Sequence, residues 1–162
     1  MTKVVLKLGD DVSTDVIYPG RYMATVLPRE TPQFAFADDA ELSARLRAGE
    51  VPPGSVIVAG RNFGCGSSRE QAVSCLAGHG LTVVARGFAR IFLQNAINLG
   101  LKVVTAPEVE ALEGDEIEVD GVVVDKTTGK AYPVLALPAS RQTIIDAGGL
   151  IPYTRRRLLA GA

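Results

Sequence analysis

The sequence predicts an α/β fold of mixed or two-sheet character, and three observations carry that prediction. Residues 55–105 alternate short apolar runs with helical patterns in the order strand, helix, strand, helix, strand, which calls for a parallel sheet with right-handed crossovers. The C-terminal third then changes to short strand-like runs broken by Asp120-Gly121 and Thr128-Gly129, both turn signals between antiparallel strands. Finally, 162 residues with 47% hydrophobic and 22% charged side chains suit one compact domain, 1–162.

The elements follow in order. Val4 to Leu8 reads as a strand, followed by the loop Gly9-Asp10-Asp11-Val12-Ser13-Thr14-Asp15. Val16 to Ala24 is ambiguous, with a turn at Pro19-Gly20, and Pro28 to Pro32 is a loop. Ala40 to Leu46 suits a short helix. Pro52-Pro53-Gly54 then turns the chain into the apolar, β-branched run Ser55 to Gly60. A glycine-bearing loop, Arg61 to Ser68, leads into a helix over Arg69 to Ala77, stopped by Gly78-His79-Gly80. Leu81 to Ala85 is a second buried strand. Phe88 to Leu99 is the clearest helix, with Phe88, Ile91, Phe92, Ala96 and Leu99 on one face, and Gly100 ends it. Lys102 to Thr105 is a third strand. Glu116 to Asp120, Val122 to Asp125 and Ala131 to Leu137 read as short antiparallel strands. Ser140 to Ala147 and Thr154 to Leu159 read as helices.

Composition narrows the function. A formal net charge of −1 argues against a general nucleic-acid surface. No apolar run approaches the roughly 20 residues that span a bilayer. The opening residues have no long apolar stretch, so no signal peptide is expected there and a cytoplasmic setting is the default. Two cysteines, Cys65 and Cys75, cannot alone hold an iron–sulfur cluster or a structural zinc. A single histidine, His79, leaves little for histidine-based acid–base or metal chemistry.

The chemistry concentrates in Gly64-Cys65-Gly66-Ser67-Ser68-Arg69-Glu70, between a strand and a helix, where α/β folds place ligands. Free N–H groups and the dipole at a helix start favour an anion. Glycines allow close backbone approach, and Arg69 offers a bidentate fork for a carboxylate. The spacing excludes a dinucleotide fingerprint, a phosphate-binding Walker loop and a nucleophile elbow. An ordinary alternative stands beside the anion site. Ser67-x-x-Glu70 and Ser68-x-x-Gln71 both match a capping box, the commoner use of such a pattern. Asp10, Asp11 and Asp15 are either a metal or proton-relay cluster or, more commonly, a turn capping its own backbone. Cys65 reads as a space-filling small residue near the ligand, Cys75 as core and His79 as a helix C-terminal residue. Arg86 and Arg90 read as surface charges in preference to anion contacts. Arg155, Arg156 and Arg157 read as a solvated basic face.

Three strings carry a resemblance. They are Gly9 to Asp15, then Arg61-Asn62-Phe63-Gly64-Cys65-Gly66-Ser67-Ser68-Arg69-Glu70, then Gly87-Phe88-Ala89-Arg90-Ile91-Phe92-x-x-Asn95. In order and spacing the chain resembles the small subunits of 3-isopropylmalate dehydratase and its homoaconitase relatives, over roughly residues 3–150. These correspond to the swivelling domain of aconitase. The resemblance implies a three-layer β/β/α swivelling fold with a parallel-rich central sheet and C-terminal antiparallel strands. It implies no cofactor in this chain, and a large partner subunit carrying a [4Fe–4S] cluster. It also implies dehydration and rehydration of a small 2-hydroxy carboxylic acid. By motif position Ser67 is the implied base, Ser68 and Arg69 the carboxylate contacts with Gly66 and Cys65 beside them, and Asp15 an acidic residue orienting neighbouring groups. Serine must act as an alkoxide, which a helix start, a nearby arginine and a closed, water-poor site would favour.

Selectivity is expected in Met23, Ala24, Thr25 and Val26. Tricarboxylate-specific relatives have an arginine there to pair with a third carboxylate; this chain has small or apolar residues. That favours an apolar substituent such as isopropyl, hence isopropylmalate over homocitrate. Arg21 and Arg29 flank the stretch, and a shift of loop register that brought one of them in would reverse the choice. The open alternatives are a homoaconitase-, dimethylmalate- or citraconate-type dehydratase subunit, and a non-catalytic anion-binding module.

Overall fold

The computed structural model describes residues 2–161; Met1 and Ala162, the ends of the expected 1–162 domain, lie outside the described residues. Seven strands form one sheet in the order β4-β3-β2-β1-β5-β6-β7. Four of them are parallel: β1 (Thr2–Lys7), β2 (Val56–Ala59), β3 (Thr82–Ala85) and β4 (Lys102–Thr105). The antiparallel half is β5 (Glu116–Val119), β6 (Val122–Asp125) and β7 (Ala131–Pro133), joined to β1 through Thr2↔Ile117 and Lys3↔Glu116. Past β7, the Leu135 amide donates to the Thr105 carbonyl at 2.9 Å, so the two edges of the sheet meet. The sheet therefore curls over itself, which yields the β/β/α layering.

Side-chain alternation builds two cores from the same strands. Val56 and Val58 of β2 and Val84 of β3 point into the curl, where they meet Val4, Ile117, Val123 and Tyr132. Ile57, Ala59, Val83 and Ala85 point the other way, against the helices. Those helices are α1 (Thr14–Ile17), α2 (Ala40–Arg47), α3 (Glu70–Gly78), α4 (Arg90–Leu99), α5 (Ala139–Asp146) and α6 (Leu150–Ala160). Strands buried on both faces explain the near-continuous apolar runs read as parallel strands.

Five readings are sharpened or corrected. The ambiguous stretch Val16–Ala24 is one turn of α-helix followed by a 3-10 turn, Gly20–Tyr22, and the Pro28–Pro32 loop runs into a second 3-10 turn, Thr31–Phe34. The expected strand Ala131–Leu137 stops at Pro133, which has no N–H to continue the ladder. Ile91 is not on the buried face of its helix but is 55% exposed. Because α4 starts only at Arg90, its buried stripe is Phe92, Ala96 and Ile97. Finally, α6 begins at Leu150, earlier than Thr154, and buries none of its residues.

Leu76 is fully buried in the layer between α3 and the sheet. Leu76→Ala is expected to cost about 2–5 kcal/mol in urea unfolding without changing far-ultraviolet dichroism of the folded state.

Candidate active site

The loop after β2 is shaped by two glycines. Gly64 has φ +85, and a Cβ there would lie 2.2 Å from the Phe92 ring; Gly66 has φ +88, but a Cβ there would make only ordinary contacts with Ser13 and Thr14. So Gly64 is required by both conformation and packing, and Gly66 by conformation alone. Phe63 holds the loop to the core. Its amide donates to the Gly87 carbonyl at 3.0 Å, its carbonyl accepts from the Ala89 amide at 2.9 Å, and its ring meets Phe88 and Phe92 edge-on.

From the other side the first loop of the chain is laced onto it. The Arg61 amide donates to Asp10 Oδ1 at 2.7 Å, and Asn62 Nδ2 donates to Asp11 Oδ1 at 2.9 Å. The Gly64 amide donates to the Val12 carbonyl at 2.8 Å, and the Thr14 amide to the Cys65 carbonyl at 2.9 Å. Thr14 Oγ1 donates to the Ser67 carbonyl at 2.8 Å. Arg69 Nη1 donates to Asp15 Oδ1 at 2.7 Å and to the Tyr18 carbonyl at 3.3 Å. Asp10 and Asp11 therefore bond across to a second loop, which corrects the reading in which they cap their own turn; Asp15 does both, since it also accepts from the Gly20 amide. The three are not grouped as a metal cluster among the described residues.

Neither serine caps α3. Its N-cap is Arg69, without a side-chain bond, so the capping-box reading of Ser67 and Ser68 is overturned. Both serines are exposed, and neither hydroxyl has an intrachain partner among the described residues. The start of α4, with Ala89 as N-cap, also lacks a side-chain cap. A cleft of about 630 Å³ lies at these two helix starts: its lining includes Ala89 and Arg90 at the start of α4 and Arg69, the N-cap of α3, together with Cys65, Gly66, Ser67, Ser68 and Asn95. Uncapped starts supply N–H donors and positive dipole ends, so the cleft suits an anion.

Asp15 is outside that lining but bonded to it through Arg69. The guanidinium of Arg69 and the Gly20 amide (2.8 Å) hold the Asp15 carboxyl below its ordinary 3.8. Met23, Ala24, Thr25 and Val26 also lie outside the lining. They are tied near it, because Gln71 Nε2 of α3 donates to the Met23 carbonyl at 3.1 Å and Tyr18 Oη donates to Tyr22 and Thr25 carbonyls. Arg21 is paired with Asp38 at 2.6 Å and lies over the Tyr22 ring. Arg90 is exposed, as read, and borders the cleft, while Arg86 is engaged by the Val109 carbonyl and Glu110. Cys75 is fully buried, and burial pushes its thiol up; His79 is the C-cap of α3. Arg155, Arg156 and Arg157 are exposed, as read.

Thr14, Asn62 and Gln94 escape the sequence reading. The first two act through loop-to-loop bonds across about fifty positions, which no local pattern announces.

Comparison with known proteins agrees with this geometry. A profile of the aconitase C-terminal domain matches residues 37–108. The small subunit of 3-isopropylmalate dehydratase from Aquifex aeolicus is 46% identical, with 95% of this chain and 94% of that protein covered. The one from Thermodesulfovibrio yellowstonii is 43% identical, with 95% and 93% covered. The chain belongs to the 3-isopropylmalate dehydratase small-subunit family. A crystal structure of 3-isopropylmalate dehydratase from Methanocaldococcus jannaschii shares the family fold, with TM-score 0.88, 40% identity, and 98% of this chain and 95% of that chain covered. The family extends to the 2,3-dimethylmalate dehydratase small subunit of Eubacterium barkeri, 45% identical over 92% of this chain and 93% of that protein.

The Asp15 titration is expected to have its midpoint below 3.8 and to return toward it in Arg69→Gln, as read by carboxyl NMR. Because the folded value is depressed, the pair's contribution is present above the unfolded value and lost as pH falls through the folded one. The stability gap between the native chain and Arg69→Gln therefore narrows only in acid below 3.8.

Proposed function

We propose that this chain is the small subunit of a heteromeric hydro-lyase that interconverts 2-isopropylmalate and 3-isopropylmalate by dehydration and rehydration. One observation carries the reading: Ser67 and Ser68 stand uncapped and exposed beside Arg69, in a cleft at two helix starts without side-chain caps. Family membership supplies the class of reaction.

In this reading Ser67 Oγ takes the proton from the substrate carbon and returns it on rehydration. Ser68, with the backbone at Gly66 and Cys65 and the free amides of α3, receives a substrate carboxylate. Arg69 is the carboxylate clamp. Its side chain is only 15% exposed, and Asp15 and the Tyr18 carbonyl both hold Nη1, which leaves Nη2 and Nε for the ligand. Asp15 is thus a positioning residue.

The cysteines of this chain do not fit an iron–sulfur cluster. Cys65 stands alone in the loop, Cys75 is sealed beneath α3, and no group of three metal-ligating side chains forms among the described residues. The [4Fe–4S] centre, like the rest of the site, is assigned to a large partner subunit, which a cytoplasmic enzyme of this kind would meet after synthesis.

The side chains Met23, Ala24, Thr25 and Val26 are proposed to select the substituent. Met23 and Val26 are exposed apolar groups, Arg21 is paired with Asp38 and lies over Tyr22, and neither Arg21 nor Arg29 lines the cleft. That supports isopropyl over a tricarboxylate. Dimethylmalate is the second reading, supported by the similarity to the Eubacterium barkeri subunit.

The chain alone is expected to be inactive and to turn over isopropylmalate when mixed with a cluster-loaded large subunit. In that complex Ser67→Ala should lower kcat by about 10²–10⁴-fold with little change in KM; full activity would sink the serine-base role. Calorimetry on the isolated chain separates the rival binding module, because micromolar affinity for a dicarboxylate without the partner would favour it.

A further inference from the structure

We propose that Thr14 is a positioning residue for proton transfer, fixing Ser67 and aiming two backbone amides into the cleft. This rests on the reading of Ser67 as the base. Thr14 is 3% exposed although it borders the cleft, so little water competes with the bond its hydroxyl makes. It grips the loop at alternate peptides: its amide donates to the Cys65 carbonyl at 2.9 Å, and its Oγ1 donates to the Ser67 carbonyl at 2.8 Å.

Peptide geometry carries this further. Across a trans peptide, the C=O of one residue and the N–H of the next point in opposite directions. With the Cys65 and Ser67 carbonyls turned toward Thr14, the Gly66 and Ser68 amides are turned away from it. Neither amide has an intrachain partner among the described residues, and both residues are exposed and line the cleft. Gly66, at φ +88, permits the reversal between them. Two N–H groups on one side of a loop form a concave donor pair for negative charge. Thr14 sets both their direction and the placement of the Ser67 side chain, since Ser67 Cα lies on the peptide it anchors.

A hydroxyl is needed for the second grip and a β-branched shape is not. Thr14→Val keeps the shape and removes the donor; Thr14→Ser keeps the donor. In the reconstituted complex with the large subunit, Thr14→Val should lower kcat by about 10- to 100-fold, with a clearly smaller rise in KM. Thr14→Ser should recover most of that loss. Thr14→Val placed in a Ser67→Ala background should cost several-fold less than it does in the native chain, because the threonine acts mainly through the serine. Wild-type kcat in Thr14→Val would overturn the proposal. So would an equal loss in Thr14→Ser, or an undiminished further loss in the Ser67→Ala background, either of which marks a general packing role. If Ser67→Ala is itself fully active, the base reading fails, independently of the Thr14 result.

Discussion

The lacing of residues 10–15 against residues 61–69 is the constraint on which the rest of the site depends. Seven bonds, one of them from the Asp11 amide to the Arg61 carbonyl at 2.9 Å, run almost in step along the two loops, from Asp10 with Arg61 to Asp15 with Arg69. Most use a backbone group on at least one side, so the pairing resembles a strand ladder that irregular loops could not otherwise form. Asp11 and Asn62 both adopt left-handed backbone, at φ +54 and +59, and bond to each other. Asx residues tolerate that conformation better than other non-glycine residues, so the composition of both loops follows from the bend they must make.

This lacing also explains why the serines are free. A helix start ordinarily recruits a nearby Ser side chain to satisfy its first amides. Here Thr14 and Arg69 tie the preceding backbone to another loop, and the chain enters α3 with Arg69 in extended conformation at the cap. The capping pattern is present in the sequence, but the geometry that would realise it is taken away. Stability is given up locally, and a pair of unengaged hydroxyls with unengaged amides is the result.

The parallel half of the fold was legible because Val56–Ala59 and Thr82–Ala85 are buried on both faces, and such strands read as unbroken β-branched runs. The antiparallel half was legible from its turns. Closure of the sheet was not, because it rests on a single Leu135–Thr105 bond thirty residues apart in the chain, with no periodicity to reveal it. The Gly64–Arg69 loop was legible as a candidate site by its glycines and its place before a helix. The partners of Asp10, Asp11 and Thr14 were not, since a lone aspartate-rich turn reads the same whether it bonds to itself or to a distant loop. The exposure of Ile91 was hidden by Phe88, which fits the helical period but lies before α4 begins.

The same exposure sets a limit on what this chain does unaided. Negative charge on a serine oxygen is costly, and fixed donors offset that cost strongly only where water is excluded. Ser67 and Ser68 are open to solvent, and the pair Arg69–Asp15 presents a carboxylate that is 64% exposed. In water, screening would leave two amides and one guanidinium with too little effect to hold an alkoxide. A surface laid over the cleft would remove that screening, and would do so at the moment the reacting groups are brought together. The division into two chains is then a physical requirement in the proposed mechanism: this chain presets the directions of its donors, and the partner supplies the dry surroundings in which those directions count.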